Sequence, residues 1–204
     1  MANPFNNPFF PRMKRVAQKT NVHCGPAVLE MLYSYLGFYV DQDEIAEAAG
    51  ISDRIVDYGM TIEDMRRATI HLFPQLTFWY KENSSIADLS RIVNEFGFPV
   101  GVEWQGVFYE DSDEDNGHYA VITHVDTANN LIMLADPYER FAGTDRRFHI
   151  LEFQDRWWDE NEVKNPETGA FSVVRDDKMM FIVAPRDSVF PEDLGMKKSG
   201  WKTF

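Results

Sequence analysis

Gln18-Lys-Thr-Asn-Val-His-Cys24-Gly-Pro-Ala-Val-Leu29 is the stretch on which the reading of this chain turns. Gly25 and Pro26 open a run in which Val28, Leu29, Met31, Leu32, Tyr35 and Leu36 recur at helical intervals before Gly37. Proline favours a first helical turn, where its missing N–H would be unpaired anyway. Cys24, the only cysteine of the chain, therefore stands where a helix begins. Unpaired N–H groups and the positive end of the helix dipole both favour the thiolate there, and the thiolate is the nucleophilic form. The plain alternative is a small buried hydrophobe. Only further residues can displace it.

A cysteine nucleophile needs a base, an orienter for the base and donors for an oxyanion. The chain has five histidines, His23, His71, His118, His124 and His149. His118 follows Gly117 and opens His118-Tyr-Ala-Val-Ile-Thr-His-Val125, a β-branched apolar run that reads as a strand. A second strand, Leu131–Ala135, follows the turn-rich Asp126-Thr-Ala-Asn-Asn130, and Asp136-Pro137 ends the pairing. With residues 126–130 as the loop, residue 120 faces residue 136. His118 and Asp136 then become diagonal neighbours about 7–8 Å apart at the backbone, within side-chain reach. Asp136 would hold the imidazole in its working tautomer. The same register places His124 on the face of His118 but about 20 Å further along the strand, outside the site. His23 precedes the helix. Together with His71, His124 and His149 it is read as structural or exposed.

Taken together, these residues resemble the double-glycine leader peptidase-like branch of the papain-fold cysteine peptidases, which includes the bacteriocin-processing peptidases. The resemblance is carried by Gln18 six residues before Cys24-Gly-Pro-Ala, by Gly117-His118-Tyr-Ala-Val, and by Ala135-Asp136-Pro137. Asp41-Gln-Asp-Glu-Ile-Ala-Glu-Ala-Ala is similar to the family's second helix. Ser85-Ile-Ala-Asp-Leu and Gly97-Phe-Pro-Val-Gly-Val are similar to the segment leading into its first core strand. The resemblance implies that Cys24 is the nucleophile, His118 the general base and acid, and Asp136 the orienter. Gln18 and the Cys24 backbone N–H would receive the oxyanion. It implies a peptidase or amidase working through a thioester on a peptide or amide substrate. Two alternatives stay open: a papain-fold acyl or peptidyl transferase, and a peptidase-like module that binds peptides or proteins with its triad idle. The processing peptidases usually sit on a transporter, and nothing in these residues encodes one, so a double-glycine leader substrate does not follow.

Length and composition frame this reading. With 204 residues, one domain is expected, bounded here as 16–184, with an arm at 1–15 and a tail at 185–204. A net charge of −13 disfavours nucleic acid and anionic membrane surfaces as partners. A single cysteine excludes a disulfide framework and a multi-thiolate zinc site. The first fifteen residues lack the apolar core of a signal peptide, and no run approaches a membrane span, so the cytoplasm is expected. No phosphate loop, dinucleotide fingerprint, nucleophile-elbow serine or His-Glu-x-x-His helix is present, and no cofactor or metal is expected. The acidic stretch Glu110-Asp-Ser-Asp-Glu-Asp-Asn resembles a calcium loop in spacing. Its glycine comes one position late, and Ile122 stands where a bidentate acid is required, so it reads as a solvated loop bordering His118.

The coarse pattern is helices first and strands second. Asp41/Glu44, Thr61/Asp64 and Ser85/Asp88 have capping-box spacing and mark three further helix starts. Strands are expected at Leu76–Tyr80, Pro99–Trp104, His118–Val125, Leu131–Ala135, Arg147–Ile150 and Met179–Ala184, with a short helix in Leu151–Asp159 and a polar insertion from Asp159 to Gly169. The tail after Pro185 reads as a surface arm whose aromatics, like Phe5, Phe9 and Phe10 in the opposite arm, dock on the body or on another subunit. The whole is an α+β layout, papain-like, with N-terminal helices packed on a C-terminal antiparallel sheet.

Overall fold

The computed structural model describes residues 9–108, 117–164 and 171–198. The helical half contains α1 (Cys24–Tyr35), α2 (Gln42–Ala48), a single turn α3 (Ile55–Tyr58), α4 (Ile62–Leu72) and α5 (Ile86–Ser90), which runs on into a π turn at Arg91–Glu95. One strand, β1 (Leu76–Lys81), lies among them. The strand half contains β2 (Val100–Gln105), β3 (Gly117–Asp126), β4 (Leu131–Ala135), β5 (Asp145–His149), a short α6 (Ile150–Asp155), β6 (Trp158–Lys164), β7 (Phe171–Asp177), β8 (Met180–Pro185) and β9 (Lys197–Lys198).

The three capping pairs do what their spacing implies. In each, the Asp41, Thr61 or Ser85 side chain accepts from the backbone while the acid three residues on reaches back to the cap. Positive φ at Gly37, Gly50 and Gly97 follows the corresponding helix ends, where a left-handed residue closes the last turn.

Seven strands form one antiparallel sheet in the order β5-β4-β3-β2-β8-β1-β9, so the late strand β8 lies between β2 and β1. Both faces are covered. Alternation along β3 sends Tyr119 and Val121 to a core shared with α1, α2 and α4. Ala120 and Ile122 go to a second core with Trp104, Phe153 and Trp157. Helix α1 is buried along nearly all its length, as an apolar helix at the centre of a domain must be.

The β3–β4 hairpin shows how local irregularity preserves the important register. At the Asp136 end, Val121 pairs with Ala135 and Ile122 with Leu134, which is the expected register. At the turn, however, Asp126 pairs with Leu131, so the loop is one residue shorter than expected. A bulge between Ile122 and His124 absorbs the difference. It also reverses the faces beyond it. Val125, not His124, joins Ala120 and Ile122 in the second core, and the expectation that His124 shares the face of His118 is corrected. His124 instead stacks on Phe9, with ring centroids 3.8 Å apart.

One further expectation changes and two take definite form. The helix expected over Leu151–Asp159 stops at Asp155. Trp157 lies in the link, donating its indole N–H to Met179 O at 2.9 Å, and Trp158 already begins β6. The polar insertion belongs to a hairpin, β6 paired with β7, whose tip at 165–170 lies outside the described residues. The segment after Pro185 is seated on the body. Phe190 packs edge-on against Trp79, Phe96 and Phe98, Leu194 is fully buried, and β9 pairs with β1. Trp79, Phe96 and Phe98 leave a niche that one more ring fills. Phe5, Trp201, Phe204 and the acidic stretch at 110–116 lie outside the described residues.

Candidate active site

Cys24 is the first residue of α1, half-buried, with no side chain capping that helix start. Its backbone N–H is therefore among the donors that have no partner within the helix. The glycine after it has a packing reason, since a Cβ on Gly25 would lie 2.8 Å from the Cβ of Met60. Close approach of α1 to the α3–α4 link requires the missing side chain. His23, before Cys24, is turned away. Its Nδ1 meets Thr20 Oγ1 at 2.6 Å, and burial holds its pKa below the ordinary value against the pull of Asp43.

His118 stands near the start of β3, buried, beside the N-terminus of α1. The Cys24 thiol is among the groups that raise its pKa. The His118 Nε2 donates to Asp136 Oδ1 at 2.9 Å, which leaves Nδ1 as the ring nitrogen for the thiol. Burial opposes the imidazolium, but Asp136 and Cys24 outweigh it, and the His118 pKa is pushed up to about 9. Gly117 is required by its neighbour across the sheet edge. A Cβ there would sit 2.4 Å from Asp159 Oδ1, and Asp159 also accepts from Gln105 Nε2 at 3.0 Å.

Asp136 follows the last residue of β4 and has no exposed side-chain surface. Oδ1 takes both the His118 bond and the Tyr138 backbone N–H at 2.9 Å, while Oδ2 takes Arg146 Nη1 at 2.6 Å. Desolvation raises its pKa, but these donors win and hold it below the usual carboxylate value. Sequence reasoning did not single out Arg146. It comes from β5, opposite Leu134, and its other Nη donates to Val107 O at 2.8 Å. Phe141 and Phe148 stack on its guanidinium. Only the β4–β5 register could have pointed to it, because an Arg-Arg pair in a short strand is otherwise unremarked. A second missed group carried a clearer signal: Glu103, a carboxylate amid apolar Val-Gly-Val and Trp in β2. It pairs across the sheet with Tyr119. Burial, then Glu103, then the nearby Cys24 and Asp159 push the Tyr119 phenol well above its ordinary pKa.

Gln18 lies in the extended segment before α1, nine-tenths buried, with its backbone N–H on Pro137 O at 2.7 Å. That bond ties it to the residue after Asp136. Its side-chain Nε2 donates to Thr20 O at 2.8 Å, and one amide hydrogen remains for another acceptor. The reversed amide would set two carbonyl oxygens against each other, which fixes the orientation. A cleft of about 450 Å³ opens here, lined by Gln18 to Asn21 on one side and Tyr138 to Arg140 on the other.

The structure thus hydrogen-bonds His118 to Asp136, places Cys24 where it acts on the His118 imidazole, and brings Gln18 to the segment beside Asp136. His71 and His149 are exposed, in the last turn of α4 and at the end of β5. Among the described residues, no group of His, Cys, Asp and Glu side chains is arranged to hold a metal ion, and no helix is long and apolar enough to cross a membrane.

Helices that present a cysteine to a histidine on an antiparallel sheet define the papain-like class of cysteine peptidases. The profile of the Peptidase_C39 like family matches residues 11–164, and the chain belongs to that family. It is similar to the solved peptidase domain of Streptococcus ComA, a bi-functional ABC transporter involved in a quorum sensing pathway. That likeness has 19% identity and a TM-score of 0.57, covering 85% of this chain and 99% of that one. It is also similar to a double glycine motif protease from an AMS/PCAT transporter, solved in complex with the leader peptide. Here identity is 16% and the TM-score 0.53, over 85% of this chain and 91% of that one. At these identities the likeness shows the fold. No curated protein sequence matches the chain.

Proposed function

We propose that this protein is a cysteine-dependent hydrolase of peptide or amide bonds that works through a thioester acyl-enzyme. The observation that carries the reading is the set Cys24, His118 and Asp136, with His118 hydrogen-bonded to a buried carboxylate and the Cys24 thiol among the groups that raise its pKa. The thiol proton passes to His118, and the sulfur attacks the substrate carbonyl. The carbonyl oxygen gains the negative charge and is received by the Cys24 N–H and the remaining amide hydrogen of Gln18. His118 then gives its proton to the leaving amine as the C–N bond breaks. A thioester remains on Cys24, and water activated by His118 releases the acid. Asp136, kept ionised by Arg146 and the Tyr138 N–H, supports the imidazolium throughout.

The class of substrate is a peptide. Support comes from the similar structures, one a peptidase domain and the other a protease solved with a leader peptide. The cleft beside Gln18 would receive it. We take residues 16–184 as the unit that carries this chemistry, because β8 lies between β2 and β1 in the sheet and completes it. A reducing, cytoplasmic setting suits a chain whose single thiol is unpaired.

The test uses p-nitrophenyl acetate, with nitrophenolate release and intact mass as readouts. The proposal expects an acetyl adduct on Cys24 that forms in wild type, fails in His118→Ala and decays in water. Decay only on addition of an amine would identify a transferase. An adduct no faster than in His118→Ala would identify an idle, peptide-binding fold and overturn the proposal.

A further inference from the structure

Gln42 is a polar side chain buried at the first position of α2, with only 3% of its surface exposed. A buried amide is costly unless its hydrogen-bonding groups are used. Here Nε2 donates to Ala17 O at 2.9 Å and to Glu30 Oε2 at 3.0 Å, while Oε1 accepts from the Lys19 N–H at 2.9 Å. The two backbone partners are the residues on either side of Gln18. The third partner, Glu30, lies on α1, the helix that begins at Cys24.

Gln18 itself is fixed from the opposite side, its N–H held by Pro137 O at 2.7 Å. Three consecutive residues, Ala17, Gln18 and Lys19, are thereby clamped between α2 and the Asp136 turn. The extended segment has no regular secondary structure of its own to hold it. Outside this clamp, Lys19 Nζ meets Asp41 and Asp43 on the surface, where ion pairs contribute little.

We infer that Gln42 is a positioning residue for acyl transfer: it clips the backbone on both sides of Gln18 and ties that segment to α1, setting where the Gln18 amide meets the oxyanion. This rests on the assignment of Gln18 as an oxyanion donor. A preorganised donor acts by being in place before the charge develops. Misplacement by about 1 Å can cost on the order of 100-fold in rate. Alkylation of the same thiol by iodoacetamide is displacement at a saturated carbon and develops no oxyanion, so it does not use the clip.

The experiment compares wild type, Gln18→Ala, Gln42→Met and the double variant. Methionine conserves length and volume and removes every hydrogen bond. Two rates are read on each protein: acylation of Cys24 by p-nitrophenyl acetate, and alkylation by iodoacetamide at the same pH. The expected result is acylation lowered about 10- to 100-fold in Gln18→Ala and in Gln42→Met. The double variant should be little worse than either single one, and alkylation should be unchanged in all. Unchanged alkylation also certifies that the thiol and His118 remain assembled. Should Gln42→Met acylate within twofold of wild type while Gln18→Ala is impaired, the positioning role is overturned and the oxyanion assignment stands. Multiplicative losses in the double variant would likewise overturn it, because Gln42 would then act elsewhere. If Gln18→Ala acylates normally, both assignments fall. A parallel loss of alkylation in Gln42→Met would make the residue a general support of the fold and overturn the specific role.

Discussion

Two buried aspartates, Asp136 and Asp145, lie at neighbouring strand ends, where Ala135 pairs with Asp145, and each is bonded to an arginine. Asp145 is gripped by Arg15 through both oxygens at 3.0 Å and accepts from Thr123 Oγ1 at 2.7 Å. The remaining hydrogens of Arg15 go to the carbonyls of Phe9, Phe10 and Met13. Every partner is permanently charged or neutral, so this centre has one state. It fastens the entering chain to the β3 bulge and to β5. Asp136 gives one oxygen to Arg146 and shares the other between a backbone N–H and His118, whose pKa the Cys24 thiol helps to raise. That centre has two states, because its histidine can gain or lose a proton. The difference teaches that burial and an arginine make a carboxylate structural, and that a titratable partner beside the Cys24 thiol gives Asp136 the chemical role proposed above.

The comparison breaks most visibly at Asp145. Asp145→Asn leaves the Arg15 charge buried with its partner neutralised, and such a loss costs about 3–5 kcal/mol. Urea unfolding should record that loss, while Cys24 alkylation per folded molecule stays at the wild-type rate. Asp136→Asn should do the reverse. Arg146 keeps Val107 O and its two aromatic rings, and His118 can become neutral. Stability should therefore fall less, whereas acylation of Cys24 should fall at least tenfold as the imidazolium loses its support.

The pH dependence of stability sharpens the same contrast. His118 has its folded pKa raised to about 9, so its contribution is fully present below its ordinary value of 6.5 and is lost as pH rises through about 9. Asp136 is depressed, so its contribution is present above 3.8 and is lost as pH falls through its lower folded value. In His118→Ala the alkaline loss between 6.5 and about 9 should disappear from the unfolding free energy. In Asp145→Asn it should persist.

The smallest effects are expected at helix starts. Thr61→Ala removes a capping box from α4 and should lower stability by about 1 kcal/mol without touching acylation. At α1, His23→Ser introduces a hydroxyl at an N-cap where no side chain caps now. Because the third helical residue is Pro26, which has no N–H, and a capping oxygen does not reach the N–H of Cys24 at the first position, stability should change by less than about 1 kcal/mol and acylation should be unchanged.

Much of this was legible because it depends on local pattern. The three capping pairs, the helix after Cys24 and the glycine stops are all decided within a few residues of themselves. The pairing of His118 with Asp136 was legible because the hairpin confines register, although the bulge at Thr123 was not: a one-residue change in loop length leaves no periodic trace. Arg146, Gln42 and Arg15 were not legible, because each acts across more than one element. Their partners are set by the order of strands in the sheet and by the path of an extended segment. Phe190 escaped for the same reason, since its niche is built from β1 and the residues around the π turn.

The central claim is that Cys24 and His118 form one reactive pair. The most direct measurement is the rate of Cys24 alkylation by iodoacetamide between pH 5 and 9, in wild type and His118→Ala, followed by intact mass. With His118 protonated up to about pH 9 and interacting with Cys24, labelling should remain fast at pH 6 and fall sharply there in the variant. Slow labelling at pH 6, rising only towards alkaline pH and identical in both proteins, would contradict the account.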